Sequence, residues 1–587
     1  MSEAERPAEP VISPEPDVAP PKNLHPHTIR AAFREERLFL LLAVVIGVLS
    51  GLLVVCFRVF IEFCRLWLLG SEIPPTGIRL IIAPAAVGLV VAALVMLVFQ
   101  RARGSGVNQT KAALFIYNGY IPFRTVVGKF ICSAIAIGSG QSLGPEDPAL
   151  QIGAGIASAL GRRLHLSRER VRLIAPIGAA AGLAAAFNAP ISAVLFVIEE
   201  VVGRWSAGVL GAVVMAVVAS TVVERWFLGF APLFRTPPIG AVRPAELIGY
   251  AALGVVGGFA SLVFSKGIEI FRARLKAMPR WTQYLQPAVA GLLIGLIGYL
   301  GFPQVMGAGY EYVDRAMHEQ YPWQILGILA GLKILSTTIS FVSGTPGGMF
   351  APTLFIGAML GGFIGAVEQM LFPHLATSSA VYALVGIGVM FAAFLRAPMT
   401  SVFMVLEVSG NYSIILPVIV SNAIAYLISR TFQPVPIFEM LTRQDGLDLP
   451  SMEEQREAAV LRLEDAMQPP PQRVLYDDLT VDECVRIAGD AKNEYLLVRR
   501  SPAGWSLIKK DEIVKMGSLG KGEMSLASVL PPRIMPYLHP DHPLDTALRY
   551  IHEWPELAVV HRADFHQVVG MINMDDILAA YSRSSAH

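Results

Sequence analysis

Three acidic residues in apolar surroundings, Glu146, Glu199 and Glu200, are the side chains best placed to do chemistry in this chain of 587 residues. Glu146 opens an apolar segment directly after Gly144-Pro145. The free N–H groups at the start of a helix attract negative charge, so a carboxylate there mimics a bound anion. Protonation removes that attraction and frees the side chain to leave. A simple helix N-cap is the alternative role for Glu146, and Asp147 competes for it.

Glycine-rich runs precede the apolar segments. Glycine allows backbone N–H groups to point into a cavity, and converging helix N-termini form an anion site without a buried Lys or Arg. Ser105 would add a hydroxyl donor, and Met349 and Phe350 would offer backbone N–H groups. Close helix packing is the alternative explanation of the glycines. Packing alone predicts neither Ser105 nor a carboxylate here, so the pattern favours an anion site. The runs comprise Gly104, Ser105, Gly106, Val107 and Asn108; Gly144, Pro145, Glu146, Asp147 and Pro148; and Gly348, Met349, Phe350, Ala351 and Pro352.

The apolar part of the chain repeats itself. The segments around Lys129 and Lys333 align at an offset of 333 − 129 = 204, and later segments align at 397 − 189 = 208. At the second offset Glu199 meets Glu407, whereas Glu200 meets a valine. A duplicated apolar domain with interrupted segments indicates a transporter whose site lies at the repeat interface. Glu199 is therefore interpreted as structural, and the asymmetric Glu200 as functional.

Composition indicates a membrane protein. The chain is 54% hydrophobic and 16% charged, whereas about a quarter of a soluble domain is charged. A net charge of +1 gives no reason to expect a nucleic-acid partner. The four cysteines lack metal or disulfide spacing, and no nucleophile–His pair or phosphate loop occurs. The sequence therefore predicts neither an enzyme nor a bound metal or cofactor.

The segment lengths predict an all-α polytopic membrane protein with tilted, broken and re-entrant helices. Segments long enough to span lie near 36–69, 78–99, 207–228, 247–265, 286–301, 324–343, 378–395 and 412–430. Shorter or interrupted segments lie at 130–144, 148–160, 173–187, 190–202, 349–371 and 398–408.

The sequence predicts a disordered tail at 1–32, a transmembrane domain at 33–440 with repeats at about 33–233 and 245–440, a charged linker at 441–465, and two small modules at 466–517 and 525–582. Arg30, Arg34 and Arg37 precede the first span, which favours a cytoplasmic N-terminus.

Five runs in this order resemble the CLC family of chloride channels and chloride/proton antiporters. They are the three runs given above together with residues 178–200 and 396–417, and the resemblance covers roughly residues 33–440. It implies a homodimer in the cell membrane with one pathway per subunit and cytoplasmic termini. It also implies that Glu146 is the outer gate and proton acceptor and Glu200 the inner proton relay. Ser105, Met349, Phe350 and Phe438 would bind the anion.

Four departures from the family pattern leave the substrate open. Pro145 stands for Arg, Asp147 for Gly, Asn108 for Pro and Phe438 for Tyr. The first two oppose anion entry by about 1 kcal/mol or more. In the family, the proton-coupled members have a glutamate at the position of Glu200, and many of the channels lack it. The resemblance therefore implies chloride/proton antiport. A passive, pH-gated chloride channel, or a transporter of nitrate, fluoride or bicarbonate, remains the alternative. Lys129 and Lys333 either contribute positive electrostatic potential to the anion pathway or pair with carboxylates.

The two modules after the linker resemble a tandem pair of cystathionine-β-synthase (CBS) modules of α/β type. Asp511 and Asp576 fall at the places where such pairs hold the ribose of an adenine nucleotide, but Asn573 stands for the usual Thr. Nucleotide binding and a purely structural or dimer-packing role both remain open. A membrane sensor whose output is this pair, with vestigial transport, is a further alternative.

Overall fold

The computed structural model describes residues 26–203, 207–234, 236, 243–373, 378–447, 449, 461–471, 473–489, 494–501, 504–531, 533–562 and 564–584. The chain divides into two compact units, Met1–Leu449 and Pro450–His587, which are considered separately. In the described part of the first unit, eight helices are long and apolar enough to cross a membrane. The protein is thus mostly helical and a membrane protein.

The described residues of the first repeat form eight α-helices, and two of these helices continue directly into a π-helix. The α-helices are α1 (Pro26–Leu69), α2 (Arg79–Ala93), α3 (Val107–Phe115), α4 (Phe123–Gly138), α5 (Glu146–Arg163), α6 (Arg168–Phe187), α7 (Pro190–Phe196) and α8 (Ala207–Leu228). The other helical turns are the π-helices Leu94–Val98 and Val197–Val202 and the 3₁₀ turn Gln100–Ala102.

The second repeat follows the same plan. Its helices are α9 (Leu247–Ala277), α10 (Gln286–Tyr299), α11 (Tyr310–Met317), α12 (Trp323–Val342), α13 (Phe350–Leu371), α14 (Ser379–Leu395), α15 (Pro398–Ser409), α16 (Ile415–Phe432) and α17 (Ile437–Gln444). Its 3₁₀ turns are Pro244–Glu246, Arg280–Tyr284, Pro303–Val305 and Tyr412–Ile414.

Glycines allow the central helices of each repeat to pack backbone against backbone. A Cβ on Gly153 of α5 would overlap the carbonyl oxygen of Gly178 in α6, and a Cβ on Gly357 of α13 would overlap that of Gly386 in α14. Every side chain of α14 is buried. For these glycines, close packing is the role that the structure shows. They hold α5 and α13, which carry the acidic and glycine-rich runs, at the centre of the unit.

The helix boundaries correct two expectations. Helix α1 begins at Pro26, so residues 26–32 are helical rather than part of a tail. The residues after Pro26 include Ile, Ala and Phe without glycine, so nothing stops the helix from extending back from the membrane span. Helix α17 runs to Gln444, into the segment expected as linker. Residues 1–25 and 450–460 lie outside the described part.

The second unit is α/β. In its first half β1 (Leu475–Tyr476) pairs in parallel with β2 (Tyr495–Arg499), which pairs antiparallel with β3 (Trp505–Lys509). In its second half β4 (Glu556–His561) and β5 (Asp564–Asn573) are antiparallel, and Leu538 forms an isolated parallel bridge to Val559. The helices are α18 (Val481–Gly489), α19 (Lys510–Ser518), α20 (Leu526–Val529), α21 (Leu544–Leu548) and α22 (Met574–Ser584), with a 3₁₀ turn at Leu463–Asp465.

Candidate functional site

The two glycine-rich loops before α5 and α13 are bonded to each other. The Gly144 N–H donates to the Gly348 carbonyl and the Gly348 N–H donates to the Gly144 carbonyl, both at 2.8 Å. These residues are repeat partners, because 348 − 144 = 204. The start of α5 in the first repeat therefore lies beside the start of α13 in the second, as the alignment predicts for a site at the repeat interface.

Glu146 is the first residue of α5 and is fully buried. Its Oε2 atom accepts a hydrogen bond from the Ala351 N–H of α13 at 3.3 Å. Its Oε1 atom has no hydrogen-bond partner among the described residues. The carboxylate thus reaches across the repeat interface to an amide at the start of another helix, which is where an anion would be stabilised.

Asp147, also buried, makes a similar contact two residues earlier, at the N-cap of α13. Its Oδ2 atom accepts from the Met349 N–H at 3.3 Å, while Oδ1 is unpartnered within the described ranges. The sequence had offered Asp147 as a cap for α5 and the Met349 N–H as an anion donor. In the structure, Asp147 binds that donor and acts on α13 rather than on α5.

Ser105 lies in a turn that only glycine on both sides permits. Gly104 has φ +84° and Gly106 has φ +118°, and a Cβ on Gly106 would overlap the carbonyl oxygen of Asp147. The first run is thereby pressed against the second. The Oγ of Ser105, 3% exposed, has no hydrogen-bond partner in the described chain, and the side-chain oxygens of Asn108 and Gln151 share this property.

The three residues Ser105, Asn108 and Gln151 line a cavity of about 370 Å³. Four cationic side chains also line it: Arg101, Arg103, Arg272 and Lys276. Arg272 and Lys276 are bonded to Asp445, which partly offsets their charge. The cavity is therefore a polar, mainly cationic chamber that includes Ser105 in its lining and suits an anion.

A second cavity, of about 670 Å³, is lined by Pro145, the residue before Glu146. Arg58 of α1 also lines it and binds the buried Glu224 of α8 at 3.1 Å. Pro145 carries no charge. Arg58 does contribute a positive charge to the lining of this cavity, and the sequence analysis did not identify it. Its position in a long apolar helix gave no signal of a site.

Phe438 belongs to a buried aromatic cluster. Its ring centroid lies 6.4 Å from that of Phe350 and 6.4 Å from that of Phe196. Phe350 is also packed on Phe187 at 5.6 Å and on Phe391 at 5.4 Å. The cluster forms an apolar wall beside the start of α13, and Phe438 contributes no hydrogen-bond donor to it.

The repeat-related lysines bind main-chain carbonyls. Lys129 Nζ donates to the Gly104 carbonyl at 2.6 Å. Lys333 Nζ donates to the carbonyls of Val305 and Gly307 at 3.0 and 2.7 Å. In these hydrogen bonds both lysines contact main-chain carbonyls rather than a carboxylate, which was one of the two roles left open. Lys129 instead fixes the run that contains Ser105.

Glu200 lies on the π-helix Val197–Val202 and is 4% exposed. Its Oε1 atom accepts from Lys111 Nζ of α3 at 2.8 Å. Arg204, which follows Glu200 by four residues and would be its partner if Glu200 were an ordinary carboxylate at a helix end, lies outside the described residues. Lys111 was missed because nothing in the sequence connects two residues that lie 89 positions apart.

The other residues of the predicted runs surround these groups and are buried: Val107, Pro148, Gly348, Ala351 and Pro352. Within the described ranges, no cluster of three His, Cys, Asp or Glu side chains could hold a metal ion. The arrangement can bind an anion at two converging helix starts and can replace that anion with a carboxylate.

The sequence of this chain is similar to proteins of a known family. The model described as "Voltage gated chloride channel" matches residues 87–430, more than half of the chain. The H(+)/Cl(-) exchange transporter ClcA of Vibrio campbellii is 31% identical over 415 residues, which cover 68% of this chain and 88% of the relative. The chain belongs to the CLC family.

Two solved structures extend the comparison. A slow cyanobacterial Cl-/H+ antiporter is 25% identical, with a TM-score of 0.64 over 69% of this CLC protein and 97% of that chain. A eukaryotic CLC transporter is 19% identical, with a TM-score of 0.60 over 92% of this chain and 97% of that one. The second likeness shows fold alone, and it extends past the first unit.

In the second unit of this CLC protein, Asp576 is already bonded within the protein. Its Oδ2 atom accepts from the Asn573 N–H at 3.0 Å, and its Oδ1 atom accepts from Gln468 Nε2 at 2.8 Å. Asn573 in turn accepts from the Asp576 N–H at 2.9 Å. Asp511 lies in the first turn of α19. The Asn573–Asp576 exchange is an N-terminal cap of α22.

Proposed function

We propose that this CLC protein exchanges chloride for protons across a membrane. The observation that carries the proposal is the bond from the Ala351 N–H to Glu146 Oε2, which spans the repeat interface at 3.3 Å. A relative that is 31% identical bears the name of an H(+)/Cl(-) exchange transporter, which supports the same activity here.

Glu146 is the outer gate and proton acceptor in this proposal. While it is charged, its carboxylate occupies the amide donors at the start of α13. Protonation removes its negative charge, and the Ala351 N–H then becomes available to an incoming anion. Because one side chain accepts the proton and vacates the anion position, binding of the two ions is linked.

The anion would be held by main-chain and hydroxyl donors and not by a formal cation. Ser105 Oγ, without a partner among the described residues, is one donor, and the N–H groups of Met349 and Phe350 are the others. The Met349 N–H becomes available only when Asp147 releases it. Phe438 closes the apolar side of the site. Gly104, Gly106, Gly144 and Gly348 shape the loops.

Glu200 is proposed as the inner proton relay. It is buried, and the second repeat has a valine at the corresponding position. It also lies on a π-helix, and π-helical turns are frequent at functional sites. Its presence favours exchange over a passive chloride channel, which is the alternative function on the same fold.

A different anion is the second alternative, and three residues favour it. Pro145 and Asp147 make the approach to Glu146 less positive than the family pattern does, and Asn108 adds an amide to the chamber that contains Ser105. Nitrate, fluoride and bicarbonate are the candidates to compare with chloride.

The assembly proposed is a homodimer in the cell membrane, with one pathway per subunit and both termini in the cytoplasm. The transmembrane domain would run from 33 to 440, with CBS modules at 466–517 and 525–582. In support, each half of the second unit has a parallel strand contact, a helix, an antiparallel strand pair and a closing helix. A structural role for this pair is favoured over adenine-nucleotide binding, because Asp576 is engaged by Asn573 and Gln468.

Purified protein in chloride-loaded liposomes tests the proposal, with chloride efflux and internal pH followed together at two external pH values. Chloride efflux that drives protons inward against their gradient supports exchange. Chloride flux without proton movement identifies a channel. If chloride does not move while nitrate, fluoride or bicarbonate does, the anion assignment is wrong and the fold carries another substrate.

A further inference from the structure

The pair of Lys111 and Glu200 is a buried ion pair at the functional centre of the first unit. Lys111 Nζ and Glu200 Oε1 are 2.8 Å apart, and each residue is only 4% exposed. Burial makes each charge depend on the other, because an uncompensated charge in such surroundings costs several kcal/mol. A change in the charge of Glu200 therefore cannot leave Lys111 unaffected.

Helix α3 connects this pair to the proposed anion site. It begins at Val107, directly after Ser105 and Gly106, and reaches Lys111 within its first five residues. At about 1.5 Å per residue, Lys111 is roughly 6 Å along the helix axis from Val107, and Ser105 lies two residues before that start. The same short helix thus follows directly on the Ser105 turn at one end and bears the cation that binds Glu200 farther on.

Other charged groups near Glu200 are engaged or lie farther from its carboxylate. Glu199, its neighbour, accepts from the Met399 and Thr400 N–H groups at 3.2 and 2.9 Å. Glu439 of α17 also acts on Glu200 electrostatically, and Arg443 binds Glu439 at 2.5 Å. Within the described residues, Lys111 is the cation in direct contact with the Glu200 carboxylate.

We propose that Lys111 is a positioning residue that links protonation of Glu200 to anion binding near Ser105. With Glu200 charged, the pair is neutral and adds little field at the anion site. When Glu200 takes up a proton, Glu200 no longer balances the charge of Lys111, and an anion near the start of α3 compensates part of it. Proton uptake at Glu200 thereby strengthens anion binding, and anion binding strengthens proton uptake by the same factor.

The size of this linkage follows from Coulomb's law. A unit charge about 9 to 12 Å from an anion at Ser105, at an effective dielectric constant of about 20, changes chloride affinity by roughly ten- to twentyfold. The inference rests on the proposed function, since it uses the same site and the same two ions. It adds a residue and a physical route for the coupling between them.

Equilibrium chloride binding at pH 4.5 and pH 7.5 tests the linkage. All proteins carry Glu146→Gln, so that titration of the gate does not contribute. The parent protein is expected to bind chloride about tenfold more tightly at the lower pH. Adding Lys111→Met should abolish most of that difference. Lys266→Met, which removes an exposed cation from α9, is the matched control and should keep it.

Glu200→Gln gives a second readout that does not depend on Lys111→Met folding. It leaves Lys111 unbalanced at every pH, so chloride should bind tightly at both pH values. The double variant Lys111→Met/Glu200→Gln removes both charges and should bind weakly at both.

The inference is overturned if Lys111→Met keeps the pH difference of the parent, if Glu200→Gln still binds weakly at pH 7.5, or if the parent shows no pH difference. Failure of the proposed function looks different. In that case the wild-type protein shows no coupled chloride and proton movement in liposomes. Equilibrium binding does not require exchange and still decides whether Lys111 acts as proposed.

Discussion

The carboxylates of Glu199 and Glu407 cap each other's helix. Glu199 accepts from the Met399 and Thr400 N–H groups at the start of α15, and Glu407 accepts from the Ile191 and Ser192 N–H groups, both at 2.8 Å, at the start of α7. Each acid lies at the end of the helix segment whose start the other one caps. This exchange joins the two repeats and explains why both acids occur at an offset of 208.

Removing one of these caps should weaken the fold without changing coupling. Glu199→Ala loses two amide bonds and a hydroxyl bond from Thr400, and a lost cap costs about 1–2 kcal/mol. We expect a melting temperature in detergent lower by a few degrees. The ratio of chloride to protons moved should stay that of the wild type, in contrast to Glu200→Gln. A changed ratio in Glu199→Ala would show that Glu199 also carries protons.

Neutralising the gate should separate the two ion movements. Glu146→Gln keeps the shape of the side chain but removes both its charge and its ability to accept a proton. Without a charge the side chain holds the Ala351 N–H more weakly, so an anion should be able to displace it at any pH. Chloride efflux from liposomes is expected to continue while proton movement falls to background. Proton coupling that survives in Glu146→Gln would contradict the assignment of this residue.

Asp147 should weaken anion binding, because it holds the Met349 N–H. Asp147→Ala frees this donor and removes a negative charge, so chloride should bind about tenfold more tightly, as expected for one charge-assisted hydrogen bond. Asp147→Asn is the matched control, since it removes the charge but keeps an oxygen acceptor for Met349. It should give a smaller gain. Calorimetry on the purified proteins measures both, and a loss of affinity in Asp147→Ala would refute this account.

The turn at Gly106 should tolerate no side chain. Gly106→Ala places a Cβ at φ +118° and against the Asp147 carbonyl, and the left-handed conformation alone costs about 1–2 kcal/mol. Chloride flux per protein is expected to fall strongly, with a lower melting temperature. Gly211→Ala in α8 is the control, because its Cβ would meet no atom within 4 Å. Equal flux in both variants would mean that the 104–106 turn does not shape the pathway.

Cys484 should report on the folding of the second unit. Burial raises the pKa of its thiol to about 11, so at pH 7 only on the order of one thiol in ten thousand is the reactive thiolate. Maleimide labelling at pH 7, located by peptide mass spectrometry, should therefore be slow in the folded protein. It should accelerate as pH rises toward 11 or when denaturant exposes the core formed with Leu496 and Val498. Rapid labelling at pH 7 without denaturant would show that this core is open.

The sequence predicted the extent of apolar elements such as α10 and α15 well, because apolar length and Pro–Gly interruptions are local signals. Its division into spanning and shorter segments was wrong for four of them. Helices α10 and α14, expected to span, are among the shorter apolar helices, whereas α6 and α13, expected to be short or interrupted, are long enough to cross a membrane. The repeat offset also predicted which loops meet, since Gly144 and Gly348 are partners in the alignment and in space.

The sequence did not predict contacts that depend on side-chain reach. Helix α3 was missed because its nine residues include Asn, Gln, Thr and Lys and show no long apolar stretch. Lys111, which lies on that helix, was missed for the same reason, and its ion pair with Glu200 changes how the proposed proton relay is understood. The direction of Asp147 was also not predictable, because a cap on its own helix and a bond to the facing one look alike in sequence.

The reciprocal bonds between Gly144 and Gly348 have a consequence for how such a site can arise. Each repeat supplies only one of the two loops, and the acid of the first repeat binds an amide of the second. A single repeat therefore contains half a binding site and an unsatisfied loop. A protein made of one repeat would have to associate with another copy to hold an anion. After two copies were fused into one chain, each loop could change independently, so that the first kept its glutamate and the second replaced it.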